Sequence, residues 1–218
     1  MEGSTQRPRH SIIFVLGPPG SGKGTLCKRA TDQSALSGSG WSYRHLSVGD
    51  YLRELCAPDA PPEAGGYDCT RIRYHLRENI LLPSSVLTPL LEHKISSVPD
   101  SAPTVWLIDG FPRNMETTLS FEEQIGQPDK VIVLECTRDA AQRRFLSRGR
   151  ERSDDEERFG RRYDEYVANM KDIREHYRDI IQSVDVAGTR EECFTEFMTA
   201  FPINLGRDND GGGRASGD

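Results

Sequence analysis

The chain has 218 residues, 35% of them hydrophobic and 28% charged, a length and balance that suit one sizeable domain with small inserted subdomains. Its formal net charge of −6 argues against a broad nucleic-acid-binding surface, while leaving room for a local cationic site that takes a small polyanion. No apolar run approaches the length of a membrane span, and the polar start, Met1 to His10, lacks the apolar core of a secretion signal.

The first predicted element is a strand over Ile12–Leu16. Gly17-Pro-Pro-Gly-Ser-Gly-Lys-Gly-Thr25 follows it directly and leads into a helix from about Gly22 to Asp32. Strand, glycine-rich loop and helix, with Gly17, Gly22 and Lys23 at this spacing, read as a phosphate-binding loop. Successive backbone N–H groups can turn inward around a phosphate, the helix adds the positive end of its dipole, and Lys23 brings a mobile point charge. The usual pattern has Ser or Thr right after the lysine; here Gly24 stands there and Thr25 follows.

A Ser/Gly-rich loop, Ser34–Gly40, precedes a short strand over Tyr43–Ser47 and a helix over Tyr51–Leu55, with Ser47 or Asp50 as its cap. Ala57–Gly66 holds three prolines and two glycines and reads as a flexible loop. Arg71–Asn79 is helical; Pro83 ends it, and Ser84 or Ser85 caps the next helix over Val86–Ser96. Thr104–Ile108 and Lys130–Glu135 are continuous apolar runs of the kind buried on both faces of a parallel sheet. Arg158–Gln182 reads as a long charged helix, Ser183–Val186 as the last strand, and Thr189 as the cap of a final helix through Phe201. Beyond Leu205 the sequence is Gly/Asp-rich and reads as a disordered tail over 205–218. Alternating strands and helices imply an α/β domain over 11–204, with helices on both faces of a parallel sheet.

Asp109 sits at the end of an apolar strand. Alone, such an aspartate serves a turn or a cap as readily; beside a phosphate loop it can hold Mg²⁺, directly or through water. Arg53, Arg113, Arg148, Arg150, Arg152, Arg161 and Arg162 come from separate segments. Arginine's planar fork grips phosphate oxygens two at a time, and a transferring phosphoryl group needs such a clamp. The flanking glycines and prolines favour a functional role for Arg53 and Arg113, whereas Arg143, Arg144 and Arg158 read as solvated helix faces. The five cysteines, Cys27, Cys56, Cys69, Cys136 and Cys193, are scattered, with no C-x-x-C pair, which speaks against a zinc site or disulfide framework and for a reducing intracellular compartment.

These motifs together resemble the nucleoside monophosphate kinases, the adenylate kinase and UMP-CMP kinase group, in order and across residues 11 to about 202. Gly17–Thr25 resembles that family's P-loop, His45-Leu-Ser-Val-Gly-Asp-Tyr-Leu-Arg53 its monophosphate-binding segment, and Leu81-Leu82-Pro83 the stretch lining the acceptor base. Asp109-Gly110-Phe111-Pro112-Arg113 is similar to its most characteristic motif. Arg148-Gly149, Arg152-Ser-Asp-Asp155 and Arg162 resemble a short lid and its flanking arginines, and Val184-Asp185 with the following turn the last strand and the donor-adenine loop.

The resemblance implies a P-loop fold with a small acceptor-binding insertion, about 47–83, and a lid, about 148–155. It implies ATP phosphates bound by Gly20, Ser21, Gly22, Lys23, Gly24 and Thr25, with Arg148 reaching ATP and the backbone near Gly188 packing on adenine. The acceptor site would comprise Arg53, Leu81, Leu82, Gly110, Phe111, Pro112, Arg113, Thr117, Arg152 and Arg162, with Lys23, Asp109, Arg113, Arg152 and Arg162 as the catalytic set. Mg²⁺ would accompany ATP near Asp109 and Thr25, through water rather than by direct ligation. The implied partners are ATP and a nucleoside monophosphate, with no nucleic acid and no membrane, for a monomer in the cytoplasm and in the nucleus as a second compartment. Phe-Pro-Arg-Asn114 is closest to the UMP-CMP branch, so UMP or CMP is the expected acceptor, AMP the alternative, and an ATP-binding protein without transfer activity the reading from a different class. The chain departs from the family at Thr117, where that branch carries an amide that reads the base; a hydroxyl cannot make its paired contacts. It departs also at Leu26, in extra residues around Ala57–Gly66, and in a lid that is short at Arg150-Glu151.

Overall fold

The computed structural model describes residues 10–35, 41–58, 60, 66–98, 103–148 and 155–200, with the side chains of residues 34 and 35 left aside. The expected flexible N-terminus, the tail over 205–218, Arg150, Arg152 and most of the lid lie outside the described residues.

Five strands form one all-parallel sheet: β1 (His10–Leu16), β2 (Ser42–Ser47), β3 (Thr104–Asp109), β4 (Lys130–Glu135) and β5 (Ile181–Asp185), in the order β2-β3-β1-β4-β5. The apolar runs read from the sequence are β1, β3 and β4, the buried middle of the sheet, while the edge strands β2 and β5 are largely half-buried or exposed. Side chains alternate between the faces, as strand geometry requires. Ile12, Phe14, Leu16, Trp106, Ile108, Val131 and Val133 enter one core. Ile13, Val15, Val105, Leu107, Ile132 and Leu134 enter the other. α1 (Lys23–Ala35) and α8 (Arg190–Ala200) cover the second face through Leu26, Ala30, Phe194 and Phe197. The first face is covered by α2 (Val48–Leu55), α3 (Cys69–Glu78), α4 (Ser84–Ser96), α5 (Met115–Gln124) and α7 (Glu156–His176). α6 (Arg138–Ser147) packs on α7 through Phe145 and Phe159, whose ring centroids lie 5.5 Å apart.

Several helix starts are fixed by local chemistry. Asp68, Asn114, Thr137 and Asp155 each accept a hydrogen bond from the backbone N–H three residues on. Thr189 and Glu192 form a capping box: the Thr189 hydroxyl accepts from Glu192 N at 3.3 Å and the Glu192 carboxylate accepts from Thr189 N at 2.8 Å. The expected caps of α2 and α4 differ. Ser47 stands at the N-cap of α2 without a side-chain bond. Pro83 is the N-cap of α4, and it is Glu116, from α5, that accepts from Ser84 N at 2.9 Å.

The long helix expected over 158–182 is a helix and part of a strand. α7 stops at His176, a turn closes with Ile180 N donating to Tyr177 O at 2.9 Å, and Ile181 already pairs with Val131 of β4. Ile180 and Ile181 are apolar and β-branched, and both pack against the core, Ile180 closing the turn and Ile181 opening β5, rather than continuing a charged helix.

Candidate active site

β1 is central, with β3 on one side and β4 on the other, so the crevice at its C-terminal end is a topological switch point where parallel α/β sheets bind ligands. The loop after β1 opens into that crevice. Gly20 is essential to its path. Its φ is +84°, and an added Cβ would stand 2.1 Å from the carbonyl oxygen of Ala141 on α6. Ser21 N donates to Pro18 O at 3.1 Å and closes the turn, and α1 begins at Lys23, its N-terminal N–H groups facing the loop.

Lys23 folds back over this loop, its Nζ donating to Gly17 O at 2.7 Å and Pro18 O at 2.9 Å. Burial pushes its pKa down to about 8; Asp109 works in the opposite direction, while Arg162 and Arg113 lower it further. Asp109, at the end of β3, is itself buried, and its Oδ2 is hydrogen-bonded to His45 Nε2. Gly24 packs beside this pair, since an added Cβ would lie in ordinary contact with Asp109 Oδ2 at 3.6 Å. Cys27, His45 and Asp109 bring donor atoms within 4.8 Å of one another. A thiol and an imidazole are not ligands for Mg²⁺, which takes oxygens and keeps several waters. The carboxylate of Asp109 and the exposed Thr25 beside the phosphate loop fit that hard ion through its water shell.

Arg113, just past β3, donates to Glu165 Oε1 on α7 at 2.7 Å. Burial lowers its pKa from the ordinary arginine value and the Glu165 carboxylate opposes the shift. Arg53 pairs with Asp50 Oδ1 at 2.6 Å on α2. Arg148 and Arg162 both lie over the ring of Phe145, at 4.1 and 5.7 Å from its centroid.

One cleft of about 1500 Å³ connects these groups. Its lining takes in Gly20–Thr25, Arg53, Leu81, Leu82, Asp109–Arg113, Thr117, Arg148, Arg162 and Gly188. All the described residues expected at the site are thus brought together. Two of them contribute differently from expectation. The Phe111 ring is buried in an aromatic cluster with Phe14 and Phe121, at centroid distances of 5.4 and 5.0 Å. Thr117 is buried, and its hydroxyl donates to Asn114, with Oδ1 at 2.8 Å and O at 3.1 Å.

Two arginines read as solvated are not. Arg158 is buried. Arg144 lines the cleft and donates to Val186 O at 2.7 Å and Gly188 O at 3.2 Å, holding the loop after β5. Arg143 is exposed, as read. Sequence reasoning also missed Glu165, the partner of Arg113, and Asn169, one turn further along α7, which donates to Glu165 O at 2.8 Å and lines the cleft. Spacing alone carried a signal for Arg144, four residues before Arg148 on one helical face.

The chain matches the adenylate kinase family over residues 15–182. It is similar to UMP-CMP kinase 1 of Oryza sativa subsp. japonica, 31% identical over 211 residues that span 95% of this chain and 80% of the relative. It is similar to uridylate kinase of Saccharomyces cerevisiae, 32% identical over 89% of this chain and 92% of the relative. Adenylate kinase isoenzyme 1 of Gallus gallus is 28% identical over 88% of this chain and 95% of the relative. The matched segment runs from the phosphate loop through Arg53, Asp109, Arg113 and Arg162 to the last strand, and the chain belongs to the adenylate kinase family.

Proposed function

We propose that the protein transfers the γ-phosphoryl group of ATP to UMP or CMP, giving ADP and a nucleoside diphosphate. The observation that carries this reading is one cleft of about 1500 Å³ with a phosphate loop at one part of its wall and Arg53, Arg113 and Arg162 at others. A pocket for one small ligand has a volume of roughly 300–1,000 Å³, so the cleft suits two nucleotides meeting at their phosphates. The similarity to kinases named for UMP and CMP supports the choice of acceptor.

In this reading Gly20–Thr25 surround the donor phosphates and Lys23 leaves the carbonyls of Gly17 and Pro18 for them. Arg53 and Arg113 hold the acceptor phosphate, and Arg162 neutralises charge on the group in flight. Asp109 and Thr25 would hold Mg²⁺ through its water shell, and the ion would supply further neutralisation of phosphate charge. No general base is required, because the attacking monophosphate oxygen is already anionic; alignment and charge neutralisation carry the rate. Leu81 and Leu82 wall the acceptor base, while Arg148 and the loop held by Arg144 meet the donor. Residues 47–83 are the acceptor arm and 148–155 the lid, whose closure keeps water from intercepting the phosphoryl group. Arg152 belongs to this set by resemblance. The enzyme acts as a monomer in the cytoplasm, a reading supported by the same family likeness; among the described residues no helix is long and apolar enough to cross a membrane.

The test is ATP-dependent diphosphate formation with UMP, CMP, AMP, GMP and dTMP supplied separately with Mg²⁺. Turnover of UMP or CMP above the others is the expected result. AMP as the best acceptor overturns the pyrimidine choice. No turnover from folded, ATP-binding protein overturns the transferase reading.

A further inference from the structure

The arm between β2 and α4 carries two thiols that phosphoryl transfer does not use. Cys56 caps the C-terminus of α2 and is buried; Cys69 opens α3 and is partly open to solvent. Residues 57–68 separate them in sequence, yet the helix ends meet. Cys69 packs against the core that contains Cys56, its Sγ donates to the carbonyl of Leu55, the neighbour of Cys56, at 3.6 Å, and the Cys69 thiol is close enough to raise the pKa of Cys56. A disulfide takes Cα atoms roughly 4.4–6.8 Å apart, and a Cys69 sulfur in contact with the carbonyl bonded to the Cys56 nitrogen brings the two residues into that neighbourhood. The buried Cys27 and Cys193 are engaged elsewhere, Cys27 beside His45 and Asp109 and Cys193 with Gly188 O at 3.4 Å.

We propose that Cys56 and Cys69 form a reversible disulfide that staples the end of α2 to the start of α3. Hydrogen peroxide is the oxidant, and Cys69, the more open thiol, meets it first. The Cys69 sulfur attacks the O–O bond, takes one oxygen as a sulfenic acid and releases the other as water. The Cys56 sulfur then displaces the hydroxyl from the Cys69 sulfur, and the Cys56 proton leaves with it as a second water. Two thiols and one peroxide give one disulfide and two waters, and a dithiol reductant reverses the bond. Burial and the neighbouring Cys69 push the Cys56 thiol up to about 12, so it keeps its proton until Cys69 has reacted.

On the proposed function, the staple fixes the elements that hold Arg53, one turn before Cys56, and that lead to Leu81. It therefore changes the acceptor KM and leaves the ATP KM alone. The experiment treats the full chain with hydrogen peroxide, digests it without reductant and maps the cysteines by mass. The expected product is a Cys56–Cys69 linked peptide lighter by two hydrogens, lost on dithiothreitol treatment and absent in C56S and C69S. Oxidation is expected to raise Tm by about 5 °C in the native chain and not in C69S. Unmodified thiols overturn the proposal, as does Cys69 carried on to a sulfinic acid with Cys56 still free. The linked peptide is read without turnover, so its formation in a protein that phosphorylates no acceptor would count against the function and not against the staple.

Discussion

Arg113 donates to Glu165 Oε1 at 2.7 Å, so the side chain assigned to the acceptor phosphate is already held by a carboxylate across the cleft. An incoming phosphate must share or displace that partner. The carboxylate keeps a half-buried guanidinium satisfied while the site is empty, and it also opposes the binding of a second anion nearby. Glu165→Gln retains a hydrogen-bond acceptor and removes the charge. We expect the monophosphate KM to fall about threefold to tenfold, with kcat near the native value, since the pair faces solvent in part and its repulsion is worth about 1 kcal/mol. Arg113→Ala is expected to cut kcat/KM by about 1,000-fold in a protein that still folds. Steady-state kinetics and a melt on both variants check this, and turnover unchanged in Arg113→Ala would remove it from the site.

Lys23 should make ATP binding sensitive to alkaline pH. Its pKa is pushed down to about 8 by burial, with the nearby arginines adding to the shift. Below that pH the empty enzyme presents a charged ammonium to the triphosphate. Above it, the free enzyme has lost the proton, while bound phosphates pull the pKa back up, so binding must take a proton from solution. Affinity for ATP is therefore expected to fall with rising pH from about 8, by up to tenfold per pH unit. Calorimetry near pH 9 in buffers of different ionisation heat should show proton uptake. Lys23→Met should bind ATP weakly at every pH and show no such uptake.

Much of this site could be read from the chain because its parts are local. A phosphate loop is nine contiguous residues between a strand and a helix, and Asp109 to Arg113 leave one strand end together. Pairings made across the fold are not written in any window. Glu165 meets Arg113 only because α7 packs back over the first core, and Arg144 meets Gly188 only because β5 lies beside β4. The same limit explains the helix read through to Gln182. Charge and period favour its continuation, and what stops it is a turn at Tyr177–Ile180 together with the pairing of Ile181 with Val131, a contact fifty residues distant. Arg158 shows the converse: a charged residue in a charged helix, buried by its neighbours' packing.

Gly20 is the least replaceable part of the phosphate loop. Gly20→Ala would add a Cβ at 2.1 Å from the Ala141 carbonyl oxygen, in a backbone with φ +84°. That oxygen belongs to α6, a packed helix, so relief requires moving either the loop or the helix. We expect a loss of about 3 kcal/mol or more in stability, from the left-handed backbone and the clash together. ATP affinity should fall as well, because the loop's N–H groups would lose their common centre. Denaturant unfolding with and without ATP checks both effects. Native stability in this variant would mean that the loop relaxes freely.

Thr117 stands where the resemblance to the UMP-CMP branch leads one to expect an amide that reads the base, and its hydroxyl points inward to Asn114. It lines the cleft, yet its proton is committed to the N-cap residue of α5. A hydroxyl used in this way holds a helix start and cannot also donate to a base. Thr117→Val keeps the volume and removes the hydrogen bond. We expect a loss of about 1 kcal/mol in stability, a fall in Tm of about 2–4 °C, and an unchanged ranking of UMP, CMP and AMP as acceptors. A ranking that shifts while Tm holds would mean that the hydroxyl turns to the base when a nucleotide binds, and that selectivity rests on it after all.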